Sequence, residues 1–167
     1  MKTEDANNLL VEPGNNGGEL KSKILREVGT VARCIQSISD ITYREIKLQR
    51  GQFIFLTRIC EQPGINLIEL SNILKVDKTT TTKAIQKLLE ENYVQRTRDT
   101  ADKRMWHLYP TDKAANLYPY IISEENKNID VCFAGFSPEE QAMACSLLQR
   151  MGDNIEQNWK ALKNSQG

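Results

Sequence analysis

Apolar residues recur at helical spacing along most of this chain. Ile24, Val28, Val31, Ile35 and Ile38 follow one another at alternating intervals of four and three. That spacing predicts a helix beginning near Glu19, with a stripe that continues less regularly from Ile41 to Ile46. A second helix carries Phe53, Leu56 and Cys60 on one face with Ile59 beside them, and Pro63-Gly64 stops it. A third, short helix buries Leu67, Leu70 and Leu74. Asn66 is placed to cap it, and Glu69 stands three positions on, within reach of the cap's own amide.

A fourth helix is predicted from Lys78 to about Glu91, with Asp77 as its N-cap and Asn92 at the left-handed position past its end. The period then changes. Tyr93 to Thr97 and Met105 to Tyr109 are rich in aromatic and β-branched residues and predict two strands, joined by the charged loop RDTADKR. Thr111 caps a helix running from about Asp112 into the region of Val131. Ser137-Pro138-Glu139-Glu140 opens the last helix, which carries Leu147 or Leu148, Met151, Ile155 and Trp159 at helical spacing. The first 18 residues, with the run EPGNNGG, have no apolar periodicity and predict a flexible tail.

Three helices, a fourth helix and a two-stranded hairpin, in that order, describe a winged helix-turn-helix. The fourth helix has the chemistry that this arrangement needs. At roughly 100° per residue, Lys78, Thr79, Thr82, Lys83, Gln86 and Lys87 fall on an arc of roughly 180°. Thr81, Ala84, Ile85 and Leu88 occupy the opposite arc. One side packs on neighbouring helices, and the other offers only donors, acceptors and positive charge. Such a helix suits a major groove about 12 Å wide. Thr79, Thr80 and Thr82 can bond phosphates or base edges, Gln86 can pair with adenine, and Lys78, Lys83 and Lys87 can meet phosphate or guanine. On the hairpin, Arg98, Lys103 and Arg104 supply a second cationic grip, with an arginine able to enter a narrow minor groove. Asp99 or Asp102 is expected to hold Arg104 in a fixed orientation through a charged hydrogen bond.

Net charge is zero, from 22 basic and 22 acidic side chains, which by itself argues against nucleic acid. The distribution reverses that argument. Residues 1–20 are net −3, whereas Asp77 to Arg104 hold seven basic and five acidic side chains, and a phosphate backbone meets the local field. No apolar run approaches the roughly 18 residues of a membrane span. MKTEDANNLL has no signal-peptide core, so a cytoplasmic protein is expected. Cys34, Cys60, Cys132 and Cys145 fit no zinc or redox spacing, and reduced thiols in or near a core are the expected state. Cys34, off the main stripe of its helix, is the first candidate for a redox-sensing thiol.

At these residues the chain resembles the MarR family of bacterial transcriptional regulators. The resemblance spans roughly residues 20–160. It rests on Gln52-Phe53 with Leu56, Leu70-Ser71, Asp77 through Val94, the SPEE run at Ser137 and, most specifically, the wing signature. There Asp99, Asp102 and Arg104 precede Pro110-Thr111-Asp112-Lys113. The chain departs from the family pattern at Asn92, where glycine is frequent, and at Thr81, where an aliphatic residue is common. The resemblance implies a mostly α fold with a small β-wing: a winged helix-turn-helix DNA-binding lobe plus N- and C-terminal dimerisation helices. The corresponding segments are a tail at 1–18, an N-terminal dimerisation region at 19–48, the DNA-binding lobe at 49–111 and C-terminal dimerisation helices at 112–167. It further implies a homodimeric repressor on palindromic double-stranded DNA, modulated by a small phenolic or lipophilic ligand. Tyr43, Arg44 and Phe53 are the candidate lining of that ligand's crevice.

The end helices carry longer apolar stripes than a small winged lobe can cover, which favours a dimer independently of the resemblance. Two other readings compete. Zero net charge also fits a winged-helix protein-interaction module. An enzyme would need a nucleophile–base pair, a phosphate loop or a metal set, and none stands out around the single histidine, His107. No cofactor is implied.

Overall fold

The computed structural model describes residues 20–164, so the expected tail at 1–18 lies outside the described residues. The elements run α1 (Ile24–Thr42), α2 (Gln52–Glu61), β1 (Ile65–Asn66), α3 (Leu67–Leu74), α4 (Lys78–Glu90), β2 (Val94–Arg98), β3 (Trp106–Pro110), α5 (Asp112–Cys132) and α6 (Pro138–Asn164). The chain divides into two compact units, one reaching to Ile122 and one starting at Ser123.

In the first unit a single core gathers residues from nearly every element. Leu56 and Ile59 of α2, Leu70 of α3, Leu88 of α4, Leu108 of β3 and Ile121 of α5 are closed to solvent. Fully burying a side chain of this kind contributes about 1.5–3 kcal/mol. The α1–α2 loop adds Tyr43 and Leu48, and Tyr43 donates its hydroxyl to the Ile121 carbonyl at 3.4 Å. The lobe therefore draws on chain to either side of residues 49–111.

The start of α3 and both ends of α4 follow the sequence signals closely. Asn66 accepts from the Ile68 and Glu69 amides while Glu69 returns a bond to the Asn66 amide, a reciprocal box that fixes the start of α3. Asp77 caps α4 through the Thr80 amide at 2.8 Å. At the other end of α4, Asn92 sits at φ 61°; its amide bonds Leu89 and that of Tyr93 bonds Leu88, closing a Schellman motif.

The sheet has the order β1-β3-β2, all antiparallel. Both wing strands lie one residue further along than the sequence pattern places them. Strand β1 has two residues, too short for any periodicity, and pairs Ile65 with Leu108 and Asn66 with His107. Gly64 leads into it at φ 91°, where an added Cβ would lie 3.3 Å from the Tyr109 hydroxyl, so both backbone and space select glycine. Helix α1 is shorter than its stripe, and its end is where the chain turns to bury Tyr43.

In the second unit α6 opens as expected. Ser137 accepts from the Glu140 amide and Glu140 bonds back to the Ser137 amide. No residue described between Ser123 and Leu162 is buried. Among the described residues no helix is long and apolar enough to cross a membrane.

Candidate nucleic-acid interface

The core fixes one face of α4 and leaves the other to solvent. Thr81, Ile85 and Leu88 are buried, whereas Lys78, Thr79, Thr80, Thr82, Lys83 and Gln86 are exposed and Lys87 is half-buried. The first ten residues of the helix, Lys78 to Lys87, contain no acid.

Local hydrogen bonds divide the threonines by role. Thr80 is committed to the cap, its hydroxyl donating to the Asp77 carboxylate at 2.6 Å. That bond holds Asp77 below the usual carboxylate range. Thr82 donates to the Lys78 carbonyl at 2.8 Å, keeping its oxygen lone pairs and methyl group for an outside partner. Thr81 donates to the Asp77 carbonyl at 3.0 Å, which satisfies its hydroxyl inside the core. Gln86 donates to Glu90 at 3.2 Å.

The wing is ordered differently from the expectation. The carboxylates of Asp99 and Asp102 do not hold the Arg104 guanidinium. Asp99 accepts the Ala101 and Asp102 amides at 2.7 and 2.8 Å, and Asp102 accepts the backbone amide of Arg104 at 2.9 Å. In a loop this tight, three backbone donors outcompete a flexible side chain. The acids shape the turn, leaving Lys103 and Arg104 exposed at the tip.

Asp99 also meets His107 Nε2 at 2.8 Å, while His107 Nδ1 lies 2.6 Å from the Gly64 carbonyl oxygen. Both partners accept, so only the imidazolium, with a proton on each ring nitrogen, satisfies both contacts at once. The Asp99 contact raises the His107 pKa, with the Gly64 carbonyl adding to it. The same network, led by the Asp102 amide, pulls Asp99 down to about 2.

Sequence reasoning missed Arg96 and Trp106. The Arg96 and Arg98 guanidiniums lie 4.4 and 4.9 Å from the Trp106 ring centroid. The ring holds both cations at the exposed part of the wing. The i, i+2 spacing of the arginines on a predicted strand was the available signal. It acquires meaning only through the register that sets Arg98 opposite Trp106.

The three residues expected to line a ligand crevice differ in exposure. Tyr43 and Phe53 are buried, with ring centroids 5.0 Å apart, and serve as core residues; Arg44 is exposed. Cys34, Cys132 and Cys145 are exposed free thiols. Burial pushes the Cys60 thiol up to about 11, which suppresses its thiolate.

A sequence model of the MarR family matches residues 48–105, which hold the capped helices and the wing. The chain is also 39% identical over 140 residues to the uncharacterized HTH-type transcriptional regulator YybA of Bacillus subtilis (strain 168), covering 84% of this chain and 93% of that one. The chain belongs to the MarR family. A solved structure of a MarR protein from Peptoclostridium difficile DA00132 superposes on this MarR-family chain with a TM-score of 0.85 and 53% identity, covering 91% and 99% of the two chains. A putative MarR family transcriptional regulator from Listeria monocytogenes, solved with 26mer DNA, gives a TM-score of 0.81 and 38% identity over 84% and 93%. As a MarR-family member the chain is a transcriptional regulator and not an enzyme.

Proposed function

We propose that this protein is a homodimeric repressor that acts in the bacterial cytoplasm. Each lobe inserts α4 into the major groove of a palindromic operator and sets the wing against the adjacent minor groove. The observation that carries this reading is the exposed face that α4 presents without an acid from Lys78 to Lys87, fixed by caps at both ends and accompanied by the exposed cations of the wing. The 26mer DNA held by the Listeria relative supports it. Thr79, Thr82 and Gln86 then face base edges, and Lys103 and Arg104 follow the wing into the minor groove.

Dimerisation is supported by the apolar surface of the end helices. Helix α1 exposes Leu25, Val31 and Ile41, and α6 exposes Met143, Leu148 and Ile155, each at 50% or more. Monomers rarely leave that much apolar surface uncovered. Modulation by a small phenolic or lipophilic acid rests on the family resemblance alone.

Footprinting on the DNA that flanks the protein's own gene tests the reading. Two protected half-sites about 10 base pairs apart, or a multiple of that, related by a dyad, are expected. Lys83→Ala and Arg104→Ala weaken the footprint without lowering the thermal midpoint. Undiminished affinity in both variants at moderate salt would overturn the reading.

A further inference from the structure

A basic cleft lies beside α4, and its residues come from two separate parts of the chain. It holds about 500 Å³ and is lined by Lys47, Gln49, Arg50, Gln52, Lys83 and Lys87. Every lining side chain carries hydrogen-bond donors, and four are cations. Three carboxylates stand close by. Glu91 lies 3.1 Å from Lys47 and 3.6 Å from Lys87, Glu90 lies 3.8 Å from Lys87, and Asp40 accepts the Arg50 backbone amide at 2.6 Å. Four cations against three acids leave an excess of one positive charge, which matches one phosphodiester. Arg50 and Lys83 make no ion pair among the described residues.

The loop supplying Lys47 and Arg50 is held in an unusual shape. Both residues are left-handed, at φ 58° and 56°, a conformation that long side chains rarely adopt. Buried Leu48 and the Arg50–Asp40 bond keep the loop in that form. Strain of this kind concentrates where a backbone must aim a side chain. Here it sets two cations across from the edge of α4 that carries Lys83 and Lys87.

A helix in the major groove has a sugar–phosphate wall on either side. We propose that this cleft seats one backbone phosphate in each half-site, with Lys47 and Arg50 forming the wall opposite Lys83 and Lys87. The inference rests on the DNA-binding reading above and goes further in assigning Lys83 and Lys87 to phosphate, neither to a base. Sequence discrimination then falls to Thr79, Thr82 and Gln86.

Lys47→Gly and Arg50→Gly test the seat, because glycine is at ease at positive φ and the variants remove charge without burdening the loop. Binding of the full-length protein to its footprinted operator, and to a mixed-sequence duplex, is followed by fluorescence anisotropy between about 50 and 200 mM salt. Each variant is expected to weaken both duplexes by the same factor and to reduce the salt slope by about one per half-site. Lys83→Gln is expected to leave the preference among single-base operator variants unchanged, whereas Gln86→Ala alters it.

Wild-type affinity and slope in both glycine variants, with binding still lost in Arg104→Ala, would overturn the seat and leave the DNA reading intact. A wild-type protein that binds neither duplex removes both. In a DNA-free arm, inorganic phosphate is titrated while the Arg50 and Gly51 amide resonances are followed. Saturation at low millimolar phosphate, with DNA affinity indifferent to the glycine substitutions, would assign the cleft to a free anion and overturn the proposal.

Discussion

Two residues that depart from the family pattern turn out to be well accommodated. Thr81 is buried, yet its hydroxyl donates to the Asp77 carbonyl, which also receives the Thr81 amide at 3.0 Å. Removing the hydroxyl leaves that acceptor satisfied. Thr81→Val is therefore expected to change stability by less than about 1 kcal/mol in urea denaturation. Asn92 takes the left-handed position that ends α4, where alanine suffers the Cβ clash without a side chain to offset it. Asn92→Ala is expected to cost about 1 kcal/mol, and Asn92→Gly is expected to cost nothing. Both positions were readable in the sequence as a cap and a buried face. What the sequence withheld was the partner: no pattern says that Tyr93 would close the Schellman bond back to Leu88.

Among the elements, the wing is expected to have an order that depends on protonation. His107 donates to both Asp99 and Gly64 only as an imidazolium, and Glu69 adds to the field that favours that form. Its folded pKa lies above its unfolded value near 6.5, so its contribution is complete below 6.5 and is lost as the pH rises through the folded value. Asp99 works in the opposite sense. Its contribution is present above 3.8 and is lost as the pH falls toward about 2. The wing should therefore be best ordered from about pH 4 to 6.5. Amide hydrogen exchange of β2 and β3, corrected for intrinsic rates, should show protection falling as pH rises beyond that window. His107→Gln should flatten the fall, and an unchanged profile in that variant would refute the link. The strands were legible because aromatic and β-branched residues cluster in them. The histidine clamp was not, since it joins residues 43 apart in sequence through a two-residue strand that has no periodicity.

At the scale of the molecule, the burial pattern divides the chain. The winged lobe closes its own core, whereas nothing described between Ser123 and Leu162 is buried and α1 exposes its stripe. In the proposed dimer a second copy covers that surface, and mass action then ties stability to concentration. The thermal midpoint is expected to rise with protein concentration, and light scattering should return twice the 19.1 kDa chain mass. A concentration-independent midpoint with the mass of one chain would contradict the dimer.

The sequence by itself determined the order of the six helices and the two wing strands, the caps of α3, α4 and α6, and which face of α4 stays polar. These are local properties: a 3.6-residue period, a side-chain oxygen within three residues of a bare amide, a left-handed asparagine. Only the tertiary structure decided that Asp99 and Asp102 serve backbone amides rather than Arg104, that Tyr43 and Phe53 fill the core, and that Lys47 and Arg50 stand beside Lys83 and Lys87. Each of those outcomes is a competition among partners distant in sequence or contending for the same donor. Distance and geometry in the folded chain settle such contests, and periodicity carries no information about them.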